Sequence, residues 1–438
     1  MTQLIDHGVP VQRALVLHPV RPSQASARDP QARLEEATGL ALALDLDVVE
    51  SRVVPLRERT PATLFGKGKV EELRLLCEVE TVDVVVVDDA LTPVQQRNLE
   101  KAWQVKVVDR SGVILEIFGR RARTKEGVLQ VELARLEYEK SRLVRTWTHL
   151  ERQRGGTGNT GGPGETQIEL DRRQIADRIL RMKKELVEVR RTRTLHRSQR
   201  KKVPYPTIAL VGYTNAGKST LFNRLTEADV LVQDMLFATL DPTLRTVKLP
   251  DGRPAILSDT VGFISDLPHE LVESFRATLE EVQEADVVLH VRDIANPDTQ
   301  AQKRDVEKVM AELDVTAESG RKIIEVWNKA DLLSADARDD IEGEARRRGA
   351  ALVSAVTGEG CEALLQRLAA LVDETPEIDV GLNAGQGEAL AWLYRHGRVV
   401  GRHDGNEGDM RLRVRLDGQA LGRFERLFPA ASVAEADD

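Results

Sequence analysis

The sequence predicts an α/β protein built around a P-loop domain, with a small α/β domain and an antiparallel helical hairpin before it and a small α+β domain after it. Three observations predict this. Gly212-Tyr213-Thr214-Asn215-Ala216-Gly217-Lys218-Ser219-Thr220 fits the Gly-x-x-x-x-Gly-Lys-Ser phosphate loop, set between an apolar strand and a helical pattern. Short β-branched runs alternate with helical stretches over residues 1–125. Residues 126–202 carry two apolar seams of helical spacing on either side of a glycine-rich stretch.

At 438 residues the chain is too long for one ordinary core, and 41% hydrophobic with 31% charged residues is a soluble globular composition. No apolar run approaches the ~20 residues that span a bilayer; the longest candidates are Val84 to Val87 and Leu40 to Leu46. Met1-Thr2-Gln3-Leu4-Ile5-Asp6 has no basic region followed by an apolar segment, so neither stable membrane insertion nor a secretory leader is expected. Cys77 and Cys361 stand far apart without metal-ligand spacing, which points to a reducing cytoplasm.

A net charge of −8 argues against binding nucleic acid over the whole surface. The charge is unevenly spread: from Arg181 to Lys202, ten Lys or Arg face only Glu185 and Glu188. Such a segment fits a polyanionic partner at that place, or a solvated helix face.

In the first part of the chain, strands are expected at Ala14 to Leu17, Val48 to Val54, Asp83 to Val87 and Val105 to Val108. Helical stretches lie between them at Gln31 to Leu44, Val70 to Val79 and Pro93 to Trp103, which implies a largely parallel sheet. Gly66-Lys67-Gly68-Lys69 lacks the phosphate-loop spacing and reads as an ordinary loop.

The hairpin (126–202) follows from Leu129, Leu133, Leu136, Leu143, Trp147 and Leu150 on one arm and Ile168, Ile175, Ile179, Met182, Leu186 and Val189 on the other. Each arm is expected to reach about 35 Å. Its tip loop (155–165) has six glycines among residues 155–164, with Arg152 and Arg154 entering and Glu165 leaving. That tip suits insertion into a crowded polyanionic cavity, and equally a spacer or a dimerising turn. Val203-Pro204-Tyr205-Pro206 then opens the P-loop domain (203–373). The last unit (376–438) has a helix from Gly387, a strand at Met410 to Leu416 and a helix at Leu421 to Leu427, with no assigned chemistry.

Glycines let the phosphate loop wrap closely, so that backbone N–H groups of residues 212–220 and the following helix N-terminus surround phosphates. Lys218 is then placed along the β- and γ-phosphates and Ser219 on Mg2+. The choice of base comes from Asn328-Lys329-Ala330-Asp331, which follows an apolar strand. Asp331 can accept from guanine N1–H and the 2-amino group, a donor pair adenine lacks. Asn328 and the Lys329 stem hold the loop and cover the base, and Ser354-Ala355-Val356 offers a backbone contact near guanine O6. Two segments between these motifs complete a GTP-binding P-loop G domain. They are Phe237-Ala238-Thr239-Leu240-Asp241 and Asp259-Thr260-Val261-Gly262. Asp259 can orient Mg2+ through its water shell, Thr239 can add a hydroxyl to the ion, and the Gly262 N–H can sense the γ-phosphate. Losing that phosphate releases both segments, so Lys218, Thr239 and Gly262 are the expected catalytic and switching groups.

Phe263 stands where many GTPases have a water-orienting glutamine, and its ring can neither donate nor accept a hydrogen bond. Slow intrinsic turnover is expected. Asn215 fits two roles, holding K+ beside the phosphates or stabilising the loop.

The chain resembles the HflX-type GTPases, a bacterial class related to translation factors, over nearly its full length. Gly161-Gly162-Pro163-Gly164-Glu165-Thr166-Gln167 and the string Phe-Ala-Thr-Leu-Asp-Pro-Thr at 237–243 carry the resemblance. It implies a monomeric, cytoplasmic factor that binds GTP and GDP and splits or rescues stalled or stressed ribosomes. It also implies that the hairpin (Arg152, Arg154, Gly155 to Glu165, Arg190 to Lys202) meets the large ribosomal subunit and its RNA. A GTP-switched scaffold with a dimerising hairpin, and a ribosome-assembly or RNA-modification GTPase, share the same switch residues.

Overall fold

A computed structural model describes residues 11–21, 28–147, 163–200, 205–226, 236–237, 239–240, 242–267, 281–316, 318–372, 377–383, 385–405, 409–416 and 418–435. Strands β1 (Arg13–Val20), β2 (Asp47–Pro55), β3 (Val84–Val87) and β4 (Lys106–Asp109) form a parallel sheet in the order β2-β1-β3-β4. Helices α1 (Pro30–Leu42), α2 (Lys67–Val79), α3 (Pro93–Trp103) and α4 (Arg110–Arg121) connect and follow these strands. Local chemistry sets their starts. Asp29 accepts from the N–H groups of Gln31 and Ala32, Thr92 and Gln95 form a reciprocal capping box, and Asp109 accepts from Gly112 N–H at 2.9 Å.

One expectation is corrected here, and one helix is added. Lys67, Gly68 and Lys69 are not loop residues but the first turn of α2, whose apolar face buries Leu73 and Cys77. Helix α4, passed over in the sequence, begins directly at the end of β4 and buries Val113, Ile114, Ile117 and Phe118.

Helices α5 (Lys125–Trp147) and α6 (Pro163–Arg200) pack along one seam, where Leu133, Leu136 and Ile179 are buried with Ile175 and Met182 against them. Glu132 pairs with Arg178 and Glu137 with Lys183 across it, each at 2.8 Å. The expected tip loop is shorter at its far end, because α6 already starts at Pro163, a residue preorganised for the first helical turn. With 38 residues α6 is about 57 Å long, well beyond the expected arm. Arg152, Arg154, Gly155 to Gly162, Lys201 and Lys202 lie outside the described residues.

The second sheet has the order β10-β9-β8-β5-β7-β6. Its strands are β5 (Thr207–Gly212), β6 (Thr243–Lys248), β7 (Pro254–Asp259), β8 (Val287–Asp293), β9 (Lys322–Asn328) and β10 (Ala351–Leu352). All pairs are parallel except β6 with β7. Helices α7 (Lys218–Thr226), α8 (Thr299–Glu312), α9 (Ala335–Arg348) and α10 (Cys361–Leu371) accompany it. One core joins the first two sheets: Val16, Leu34, Ala37 and Phe118 share it with Val211, Phe237, Val261 and Phe263. The second sheet is thus built directly against the first domain.

Residues Ala369–Asp438 form a separate compact unit. Its elements are β11 (Glu377–Leu382), α11 (Gly387–His396), β12 (Arg398–Asp404), β13 (Met410–Arg415), α12 (Gly418–Leu427) and β14 (Ser432–Glu435). The βαββαβ chain makes an antiparallel sheet in the order β12-β13-β11-β14. Ile378, Val380, Leu412, Val414, Leu393 and Phe424 form its core. No described helix is long and apolar enough to cross a membrane.

Candidate active site

At the carboxyl ends of β5, β7 and β9 lies a cavity of about 410 Å3. The turn from β5 into α7 forms its floor, and close neighbours together with positive φ explain the turn's glycines. A Cβ on Gly217, where φ is +84°, would sit 2.3 Å from Asn328 Nδ2. One on Gly212 would sit 2.1 Å from Val291 O. Asn215, exposed at the tip, takes the left-handed conformation at φ 57°, which asparagine tolerates better than most residues.

Lys218 is buried and donates to Gly212 O at 3.1 Å and Tyr213 O at 2.8 Å. Burial pulls its ammonium down to about 8, partly opposed by the charge of Asp259. Three oxygen-bearing side chains converge beside it. Ser219 Oγ donates to Asp259 Oδ2 at 2.7 Å, Thr239 Oγ1 donates to the same oxygen at 2.9 Å, and the two hydroxyls are 2.9 Å apart. Asp259 is 2% exposed, and its Oδ1 is buried with no partner among the described residues. Burial raises the carboxyl against the lowering effect of Ser219 and Lys218. A hard divalent cation fits this donor set of two hydroxyls and one carboxylate. Mg2+ bound there supplies charge stabilisation to phosphate oxygens.

At the other end, Asn328 donates from Nδ2 to Ala216 O at 2.9 Å and accepts the Ala355 N–H at 3.0 Å. Ser354 Oγ donates to Asp331 Oδ1 at 2.6 Å, and Lys329 pairs with Asp293 at 2.8 Å. The Asp331 carboxylate is therefore held in place by the Ser354 hydroxyl. Asp331, Lys329, Ala355 and Val356 line the cavity together with Leu332, which the sequence reading did not single out although it directly follows Asp331.

The remaining expected site residues separate into lining and support. Thr214, Asn215, Gly217, Thr220, Phe237, Thr260 and Gly262 line the cavity. Leu240 and Val261 are buried in the joint core, and Ala238 and Asp241 lie outside the described residues. Phe263 is 2% exposed, and its backbone bridges the phosphate loop: its N–H donates to Gly212 O at 3.1 Å and its carbonyl accepts the Thr214 N–H at 2.6 Å. Tyr213 also turns away from the cavity. Its hydroxyl donates to Glu36 Oε2 at 2.7 Å and accepts the Ser265 N–H at 3.0 Å.

A buried charge cluster holds this junction. Arg110 Nη1 meets Asp88 Oδ1 at 2.5 Å, and Nη2 meets Glu36 Oε1 at 2.5 Å and Ser265 O at 3.2 Å. Arg33 reaches Ser265 Oγ and Asp266, and His18 Nδ1 lies 2.8 Å from Asp88. Phe237 packs edge-on against Phe118 of α4, with ring centroids 4.6 Å apart.

Family comparisons match this architecture segment by segment. Residues 31–119 fit the profile described as GTP-binding GTPase N-terminal, 121–200 the GTP-binding GTPase middle region, 207–329 the 50S ribosome-binding GTPase, and 341–438 the HflX C-terminal domain. A GTPase HflX of Magnetococcus marinus is 50% identical over 424 residues, 96% of each chain. The chain belongs to the HflX family of GTPases. The GTPase HflX of Escherichia coli is 43% identical over 358 residues, 81% of this chain and 83% of that one. Among solved structures, a GTP-binding protein from Sulfolobus solfataricus in complex with GDP matches with a TM-score of 0.44 and 22% identity, over 82% of this chain and 98% of that one.

As an HflX GTPase the protein binds GTP and GDP and hydrolyses GTP. The groups that sequence reasoning missed in this HflX chain are Glu36, Arg110, Phe118 and Ser265, which pack or bond around Phe237 and the segment after Gly262 from outside the nucleotide motifs.

Proposed function

We propose that this HflX GTPase works in the cytoplasm on the ribosome. Its GTP state sets the helix pair against the RNA of the large subunit, hydrolysis permits release, and the outcome is splitting or rescue of stalled or stressed ribosomes. One observation carries this reading: a continuous set of contacts leads from the phosphate sensor to α5. Gly262 stands three residues before Ser265, which Arg110 grips. The residue before Arg110, Asp109, accepts from Tyr138 Oη and from Arg142 Nη2 on α5, each at 2.6 Å. Moving the Gly262 segment on γ-phosphate binding therefore acts on a segment held by Tyr138 and Arg142 of α5. The exposed cations Arg181, Lys184 and Arg191 on α6 supply a footprint suited to RNA phosphates.

Within the site, Lys218 neutralises charge on the transferred phosphate, and Thr239 and Gly262 report its presence. Ser219, Thr239 and Asp259 would hold Mg2+, which would supply charge stabilisation to the phosphates. Phe263, with its ring in the core, leaves the attacking water to be oriented by other groups, so intrinsic turnover is slow and the ribosome accelerates it. Asn215, exposed beside the phosphate site, coordinates K+; equal turnover in potassium and sodium buffers would refute that role.

Co-sedimentation tests the main reading. With a non-hydrolysable GTP analogue the protein should pellet with isolated large subunits at low salt and be released by raising salt, and GDP should weaken the association. Failure to pellet under those conditions overturns it. Arg142→Ala should retain GTP binding and lose the difference between the two nucleotides.

A further inference from the structure

Three segments meet at the base end of the cavity: the phosphate loop, the Asn328–Asp331 loop and the Ser354–Val356 loop. Asn328 ties the first to the third, and Ser354 ties the third to the second. A further tie comes from a residue outside all of these motifs. Arg224, on α7 and six residues beyond Lys218, donates from Nε to Ala355 O at 3.1 Å and from Nη2 to Val356 O. Gly358, at φ +90°, closes the turn by donating to Ser354 O at 2.8 Å, and a Cβ there would lie 3.8 Å from the Arg224 guanidinium. Arginine stem and glycine turn are packed face to face.

The peptide plane gives this grip a direction. In a trans peptide, C=O and the next N–H point to opposite sides. Holding the carbonyls of Ala355 and Val356 on the α7 side turns the N–H groups of Val356 and Thr357 to the other side. There the Thr357 N–H donates to Ser354 Oγ at 3.1 Å, the hydroxyl that in turn donates to Asp331. Val356, 65% exposed, lines the cavity itself.

We propose that Arg224 is a positioning residue for guanine selection: it clamps the Ser354–Val356 loop to the phosphate-loop helix so that the Val356 N–H, which the peptide plane turns away from α7, meets the base O6. This rests on the reading of that loop and Asp331 as the guanine-facing side. A planar guanidinium spans two adjacent carbonyls, whereas an ammonium serves them only as a point donor.

The test is a kinetic and binding comparison of the full-length wild type, Arg224→Ala, Arg224→Lys and Asp331→Ala. Arg224→Ala should raise KM for GTP and Kd for GDP together by roughly tenfold, leave kcat within about twofold, and narrow the preference for GTP over ATP. Arg224→Lys should recover part of the loss. Melting of the nucleotide-free proteins checks that the fold is kept. If Arg224→Ala leaves KM and selectivity unchanged while Asp331→Ala removes selectivity, the clamp is wrong and the guanine site stands. If Asp331→Ala also leaves selectivity unchanged, the underlying reading of the site is wrong. A fall in kcat at constant KM assigns Arg224 to the chemical step and overturns the proposal.

Discussion

The Tyr213 hydroxyl accepts the backbone N–H of Ser265 at 3.0 Å, so a side chain of the phosphate loop is joined to the backbone just beyond the Asp259–Gly262 segment. The same hydroxyl donates to Glu36 of α1, which brings the first domain into the contact. Tyr213→Phe keeps the ring in the core and leaves a buried N–H and a carboxylate without this partner. An unmet buried polar group costs about 1–3 kcal/mol. The urea midpoint of the nucleotide-free variant should fall accordingly, and the ratio of its affinities for a GTP analogue and GDP should shift. An unaltered midpoint and ratio would remove Tyr213 from the coupling.

Arg110 concentrates more energy at the same junction. Its guanidinium is 3% exposed and is shared between Asp88 and Glu36. Arg110→Met removes the buried cation that both carboxylates share and leaves them only His18, Tyr213 and the more distant Arg33, a loss of about 3 kcal/mol. Combining it with Asp88→Asn should recover part of that loss, and denaturant unfolding of the four proteins in the cycle gives the coupling directly. Additive losses would mean that the pair is not a unit. Burial pushes the Asp88 carboxyl upward, but the charge of Arg110 and the bond to His18 outweigh it and hold the group well below its usual value. The contribution of Asp88 is therefore complete above about pH 4 and lost as pH falls further.

That the expected residues line one cavity was legible because their signals are local: the turn needs glycine at positions 212 and 217, and Asn328 to Asp331 follow an apolar strand directly. The cluster that braces it was not. Glu36, Asp88, Arg110, Tyr213 and Ser265 meet across separations of 22 to 177 residues; Tyr213 stands in the phosphate loop but points its hydroxyl away from it, and the other four are unremarked in their own neighbourhoods. Helix α4 did leave a signal, since Val113, Ile114, Ile117 and Phe118 repeat at helical spacing. So did β11, where Ile378, Val380 and Leu382 alternate with outward residues. Pro163 is the opposite case: glycines on both sides suggest a loop, and the preference of proline for a first helical turn overrides them.

Asp259 gives a prediction for the metal. Its carboxylate holds both the Ser219 and Thr239 hydroxyls and has one oxygen still free of protein partners among the described residues. Asp259→Asn keeps the shape and removes the charge. Outer-shell changes of this kind typically cost about 10–100-fold in metal affinity, so the Mg2+ concentration that half-saturates GTP hydrolysis should rise by that factor while GDP affinity without Mg2+ is unaffected. Loss of GDP affinity in chelator would instead place Asp259 in nucleotide binding itself.

Lys218 links nucleotide affinity to pH. Burial lowers its ammonium from the ordinary 10.5 to about 8 in the nucleotide-free site, with Asp259 partly restoring it. Bound phosphates favour the charged lysine, so the value in the complex is higher than in the free protein. Below pH 8 both forms carry the proton and affinity is at its full level. Above pH 8 binding must take up a proton, and Kd should rise toward tenfold for each further pH unit. Calorimetric titration of GDP between pH 7 and 9, in buffers of different ionisation heat, measures both the affinity and the proton uptake. Lys218→Gln should bind weakly with a profile that is flat over this range, which separates the lysine from titration of the base. A wild-type profile as flat as that of the variant would mean that Lys218 is already unperturbed before the phosphates arrive.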